Sequence, residues 1–432
     1  MVKPFSKIAY RKEIDGLRSL AVVPVVLFHA GFPYFQGGFI GVDIFFVISG
    51  YLITSLIVAD LNNTRFTLVQ FYERRVRRIF PALYAVLLFC LIGAAATINP
   101  TIINELGLSI LSVVTFVSNI YFWRAAGYFG SASELTPLLH TWSLSVEEQF
   151  YLFFPVFLSV LWFLGRFKVT LLLFVLVLLS LALAEWGWRN NATANFFLAP
   201  TRSWELLTGA FVALVPRERI LLRMGENVSQ TVSLVSLLAL LSSYFAFNST
   251  TPHPSLITLL PVASTASIIL FCNGSGLAGS LLSNKYMVGI GLLSYSFYLW
   301  HQPIFVFARV YSTDSPSLFE FGLLSLISFG IAYLSWRYIE RPFRNREKFS
   351  RRRVFAYAGA SSLVALIMGS VFVVYNSVPL RFFDPESFGQ YEIIKAAHPK
   401  NQSIAVKGCH LWSDKFTAEF RSSFDRCAKQ YG

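Results

Sequence analysis

The sequence predicts an all-α integral membrane protein: a ten-span helical bundle, an eleventh span and a short periplasmic tail. Three observations point there. Of 432 residues, 55% are hydrophobic and 14% charged, and the mean hydropathy is +0.57, outside the usual range of soluble domains. Apolar runs near the ~20 residues that cross a bilayer recur along the chain. The 36 Lys and Arg residues cluster between those runs, as topology-setting residues do. The formal charge of +13 therefore reports orientation, and no nucleic-acid partner is expected.

The spans fall near 17–32, 38–59, 79–98, 147–164, 169–186, 202–215, 230–247, 256–272, 286–308 and 319–338, followed by 354–375. The first lacks a small-residue cleavage site and is not a removable signal peptide. Span 202–215 is short enough to be tilted, kinked or partly buried in protein. Segment 102–123 is apolar enough to cross, but counting it inverts every later loop, so it reads as re-entrant or interfacial. On that basis the N-terminus (Lys3, Lys7, Arg11, Lys12), the 65–78 loop (Arg65, Arg74, Arg75, Arg77, Arg78) and the run from Arg341 to Arg353 face the cytoplasm. So do Arg166 and Lys168, Arg217, Arg219 and Arg223, and Lys285. The chain divides into a membrane domain at 1–345, a basic link and further helix at 346–376, and an outer tail at 377–432 too small for a substantial core. Cys90 and Cys272 lie in apolar segments as packing residues. Cys409 and Cys427 sit in the tail, either paired as a disulfide in an oxidising exterior or as free thiols. No spacing suggests a metal site.

Four stretches could carry chemistry. In residues 13–54, Arg18, His29 and Asp43 enter apolar surroundings, where a charge costs roughly 2.5–3.5 kcal/mol at mid-bilayer. Ten residues separate Arg18 from His29, which puts them on one helix face about 16 Å apart along the axis. A neutral imidazole can take a proton from a hydroxyl. Arg18 can grip a phosphate bidentately, or simply snorkel to the membrane edge. Asp15 reads as a helix N-cap, and Asp43 opens the next helix after Gly37, Gly38 and Gly41. In FYERRVRRIFPAL (71–83), Arg74, Arg75 and Arg78 suit lipid headgroups or a polyphosphate-bearing donor.

In TPLLHTWSLSVEEQFYLFFP (136–155), His140, Glu147, Glu148 and Gln149 precede a span in an outer loop. Beside Trp142 they could hold a sugar, or Trp142 is interfacial and the glutamates open a helix. In LSYSFYLWHQPIF (293–305), His301 is either catalytic or satisfies a backbone carbonyl freed by Pro303. His253, His398 and His410 receive no role. There is no G-x-S-x-G elbow, P-loop or G-x-G-x-x-G fingerprint.

Taken together, IDGLRSLAV with its Arg-x10-His spacing, GGFIGVDIFFVISGYLIT, FYERRVRRIFPAL, LLHTWSLSVEEQFYLFFP, SYSFYLWHQP and YIERPFR resemble the acyltransferase-3 family of bacterial membrane acyltransferases. The resemblance covers roughly residues 10–345. It implies transfer of an acyl group, usually acetyl, from cytoplasmic acyl-CoA to a hydroxyl of a cell-surface or periplasmic glycan such as O-antigen or peptidoglycan. It also implies a multi-pass protein of the bacterial inner membrane with no resident cofactor, acyl-CoA being a substrate. His29 is the implied catalytic residue, as general base or as transient acyl carrier, with Arg18 supporting the donor site. His140 and Glu147 are further implied site residues. Arg74, Arg75 and Arg78 form a donor entrance, with Asp43 grouped beside them, and His301, Trp142 and Gln149 are additional candidates. Many members carry an SGNH-type periplasmic domain after one more span. The tail here resembles its truncated beginning, so that domain is expected in cis or in trans. The competing reading is a transporter or flippase whose polar residues line a solute path. No inverted repeat or matched pair of broken spans supports it.

Overall fold

The computed structural model describes residues 10–95, 100–126, 135–312 and 316–375, and every regular element among them is helical. Cys409, Cys427 and the tail lie outside the described residues.

The chain opens with α1 (Lys12–His29), a short 3-10 segment at Pro33–Ile40, α2 (Gly41–Asn62) and α3 (Leu68–Ala95). Then α4 (Pro100–Val114) and α5 (Ser118–Ala126) meet at a turn where Phe116 has φ of 54°. Segment 102–123 is thus two short helices joined by a sharp turn, not one span. Next come α6 (Thr141–Leu161), α7 (Arg166–Asn190), α8 (Ala192–Phe197), α9 (Ala199–Leu214), α10 (Arg217–Met224) and α11 (Glu226–Ala246). The last group is α12 (Leu259–Phe271), α13 (Gly276–Leu282), α14 (Lys285–Tyr311), α15 (Leu318–Leu334), a π turn at Ser335–Glu340, α16 (Arg341–Arg344) and α17 (Arg351–Tyr375).

Seven of the described helices are long and apolar enough to cross a membrane, and α12 with α13 forms an apolar pair bent by 97°. This is a multi-pass membrane protein, but the expected ten spans plus one are matched only in part. The expected spans 17–32, 202–215 and 286–308 fall on α1, α9 and α14, which are absent from the seven. Their polar residues, including Arg18, Arg202, Glu205 and His301, face other helices instead of lipid. Outer α7 has only 22% of its span buried inside the bundle.

Small residues let the central helices touch. A Cβ on Gly50 of α2 would lie 1.8 Å from the Leu206 carbonyl oxygen, and one on Gly209 of α9 would lie 2.0 Å from that of Val47. Across α1 and α14, Gly291 approaches the Asp15 carbonyl in the same way.

Arginines finish one end of the bundle. Arg11 and Arg217 donate to the Cys272 carbonyl at 2.9 and 2.7 Å, satisfying a helix end that lipid could not. Glu73 of α3 pairs with Arg77 at 2.9 Å and Arg351 at 2.7 Å, while Arg77 donates to the Phe343 and Phe349 carbonyls. These bonds clamp the 341–353 basic run and the start of α17 against α3. Asp15 does not cap α1, which begins three residues earlier at Lys12. It accepts hydrogen bonds from Arg18 at 3.2 Å and Tyr10 at 2.7 Å.

Candidate active site

Two cavities meet at the middle of the bundle. The first is lined by Arg18, Arg75, Arg78 and Glu147. Arg75 and Arg78 are three residues apart on α3 and share a face, while Arg74 and Arg77 share the adjacent one. Arg74 therefore turns away from the cavity and pairs with Asp60 at 2.7 Å on a partly exposed surface. Arg75 stacks over the Tyr151 ring, 5.0 Å from its centroid. Glu147 accepts hydrogen bonds from Ser49 and Tyr151.

Placing Glu147 in an outer loop beside His140 is corrected by the start of α6 at Thr141. Seven helical residues set Glu147 about 10 Å along the axis from His140, at the arginine cavity. Gln149 lines neither cavity. Its Nε2 donates to the Phe116 carbonyl and to Asn119 Oδ1, both at 2.8 Å, tying the α4–α5 turn to α6.

The second cavity, of about 380 Å³, is lined by His29, His140, His253, Gln302 and Arg309 among aromatic side chains. Val42 and Tyr298 line both cavities. Tyr298 is held there by donating to the His140 carbonyl at 2.8 Å and by a 2.8 Å hydroxyl contact with Ser143.

Beside Tyr298, His29 Nδ1 lies 2.9 Å from His301 Nε2, and His301 Nδ1 lies 2.7 Å from the Tyr298 carbonyl oxygen. A carbonyl only accepts, so His301 Nδ1 carries the proton. In neutral His301, Nε2 must then accept from His29 Nδ1–H. That leaves His29 Nε2 with a lone pair, which makes it the basic atom of the pair. His301 thus bonds the Tyr298 carbonyl and not that of Leu299, the one deprived of its helical partner by Pro303. His140 packs edge-on to His301 with ring centroids 5.5 Å apart. Arg309 donates to the His29 carbonyl at 3.0 Å, fixing the end of α1.

Asp43, grouped by sequence with the donor arginines, sits instead at the His29 end of the bundle. It is fully buried, accepting from Arg202 at 2.8 Å and from His253 Nε2 at 2.9 Å. Arg202 also pairs with Glu205 at 2.9 Å. The Arg202 guanidinium lies 5.4 Å from the Trp142 ring centroid, and Phe196 lies 4.6 Å from it. Trp142 lines the cavity, but protein groups already occupy its ring, so it is no open sugar platform. Burial holds the His253 imidazole below its ordinary pKa against the opposing pull of Asp43.

An acyltransferase-domain family model, Acyl_transf_3, matches residues 11–337. The chain belongs to the acyltransferase-3 family. Peptidoglycan O-acetyltransferase OatA of Listeria monocytogenes is 34% identical over 354 residues, covering 78% of this chain and 56% of the relative. O-acetyltransferase OatA of Staphylococcus aureus is 30% identical over 384 residues, covering 84% and 63% respectively. The chain therefore spans about six-tenths of the length of these relatives. No solved structure matches it significantly.

Within this acyltransferase-3 fold, sequence reasoning left Arg202, Tyr298, Gln302 and Arg309 without a role and gave His253 none. A usable signal existed for Arg202, since a guanidinium inside an apolar span requires a buried partner and Asp43 was available. His253 and Tyr298 carried no such signal. Their positions follow from helix packing alone.

Proposed function

We propose that this protein is a membrane O-acyltransferase that moves an acetyl group from cytoplasmic acyl-CoA to a hydroxyl of an extracytoplasmic glycan. One observation carries the reading: a cavity with three guanidinium groups adjoins a cavity with an imidazole base, and Val42 and Tyr298 line both. Positive-inside topology puts the arginine cavity toward the cytoplasm. There Arg18, Arg75 and Arg78 bind the phosphates of acyl-CoA by charge-assisted hydrogen bonds. The thioester then reaches Tyr298. His29 Nε2 takes the proton of the acceptor hydroxyl as its oxygen bonds to the acyl carbon and the thiolate leaves into the arginine cavity. His301 holds the His29 ring throughout. The name of the Listeria monocytogenes relative favours peptidoglycan as the glycan.

The test uses protein in lipid nanodiscs with labelled acetyl-CoA and a muropeptide acceptor. His29→Ala is expected to lower acceptor-dependent CoA release by about 10²–10⁴-fold, the usual worth of a general base, while still binding acetyl-CoA. Release at the wild-type rate would overturn the assignment.

A further inference from the structure

We propose that the His29 cavity is the binding site for the sugar of the acceptor, and that His253 and Gln302 receive its hydroxyls. The inference deepens the acyl-transfer reading and rests on it for the identity of the ligand. An ionised carboxylate only accepts, so Asp43 requires the proton of His253 to sit on Nε2. The remaining His253 nitrogen, Nδ1, is then an acceptor, and it is buried with no hydrogen-bond partner among the described residues. Gln302 is 3% exposed, and its amide oxygen is likewise buried without a partner. Both residues line the same cavity as His29, whose Nε2 is also an acceptor.

Buried polar atoms are almost always paired, so orphaned acceptors at one cavity call for a ligand that supplies donors. Three acceptors from α1, α14 and the loop before α12, together with the His140 ring, whose nitrogens are also buried without a partner, ask for several hydroxyls in one molecule. A sugar offers them. A single serine hydroxyl from a protein acceptor would satisfy one and leave the others. The space agrees, since a cavity of about 380 Å³ exceeds what one small side chain needs. Phe28 and Phe39 add apolar wall for the C–H faces of a sugar ring, and Phe39 stands edge-on to His253 with centroids 4.8 Å apart.

The test is calorimetric titration of the whole protein in nanodiscs with a muropeptide, and separately with acetyl-CoA. Gln302→Leu and His253→Phe should each weaken muropeptide binding about three- to tenfold, the worth of one net hydrogen bond, with acetyl-CoA affinity unchanged. Gln302 belongs to no ion pair, so its variant keeps the test decisive if His253→Phe, which removes a bond to Asp43, does not fold. The inference is overturned if the wild type does not bind the muropeptide, or if binding persists unchanged in the variants. It is equally overturned if Gln302→Leu loses acetyl-CoA to the same extent, or if a serine-bearing peptide binds more tightly than the glycan. Glycan binding without acetyl transfer would sink the acyl-transfer reading and leave this site standing.

Discussion

His301→Ala is the perturbation that most directly probes the imidazole pair. It removes the acceptor of His29 Nδ1–H, 2.9 Å away in the structure, and with it the bond that fixes the His29 tautomer. A buried donor left unpaired costs about 1–3 kcal/mol. Charged against the step that needs the Nε2 lone pair, this corresponds to a fall in kcat of about 5- to 150-fold. The KM for acetyl-CoA should not move, because Arg18, Arg75 and Arg78 line the other cavity. His301→Gln supplies a carbonyl oxygen that can accept the same proton, and it should recover part of the loss. The assay is acceptor-dependent CoA release at saturating donor, with thermal melting to exclude a fold defect. Turnover of His301→Ala within twofold of wild type, or a Gln variant no better than Ala, refutes the tautomer argument.

Other outcomes follow from the same geometry. Arg78→Ala should weaken acetyl-CoA binding by about 10- to 150-fold, the worth of a charged hydrogen bond. Arg74→Ala should change it less than about fivefold, since its exposed pair with Asp60 contributes at most about 1 kcal/mol; titration calorimetry separates the two. Asp43→Ala leaves Arg202 beside Glu205 alone in a fully buried site and should cost about 3–5 kcal/mol, read as a large drop in melting temperature. Gly209→Leu drives a side chain into the Val47 carbonyl of α2 and should cost at least about 3 kcal/mol, visible as loss of the monodisperse peak in size-exclusion chromatography.

Much of the bundle was legible from hydropathy, because lipid demands long uninterrupted apolar helices and α3, α7, α11, α15 and α17 meet that demand. The reading was weakest where helices are buried in protein. Helices α1, α9 and α14 trade apolar length for function, so their sequences resemble marginal spans. Glu147 illustrates a second failure. The polar run HTWSLSVEEQ looks like a loop, yet the helix starts at Thr141, with its first turns buried inside the protein.

Local sequence by itself determined the helical class and the helical Arg-x10-His spacing of α1, since a 3.6-residue repeat fixes angles over short distances. The split of the arginines on α3 into two faces emerged only once 68–78 proved helical instead of a loop. Local sequence could not determine which distant residues meet. That His301 orients His29, that Asp43 belongs to Arg202 and His253 and not to the donor arginines, and that Tyr298 and Val42 line both cavities were decided only by tertiary structure. Those relations depend on how close one helix backbone can come to another, which small residues such as Gly50, Gly209 and Gly291 set across helices far apart in the chain.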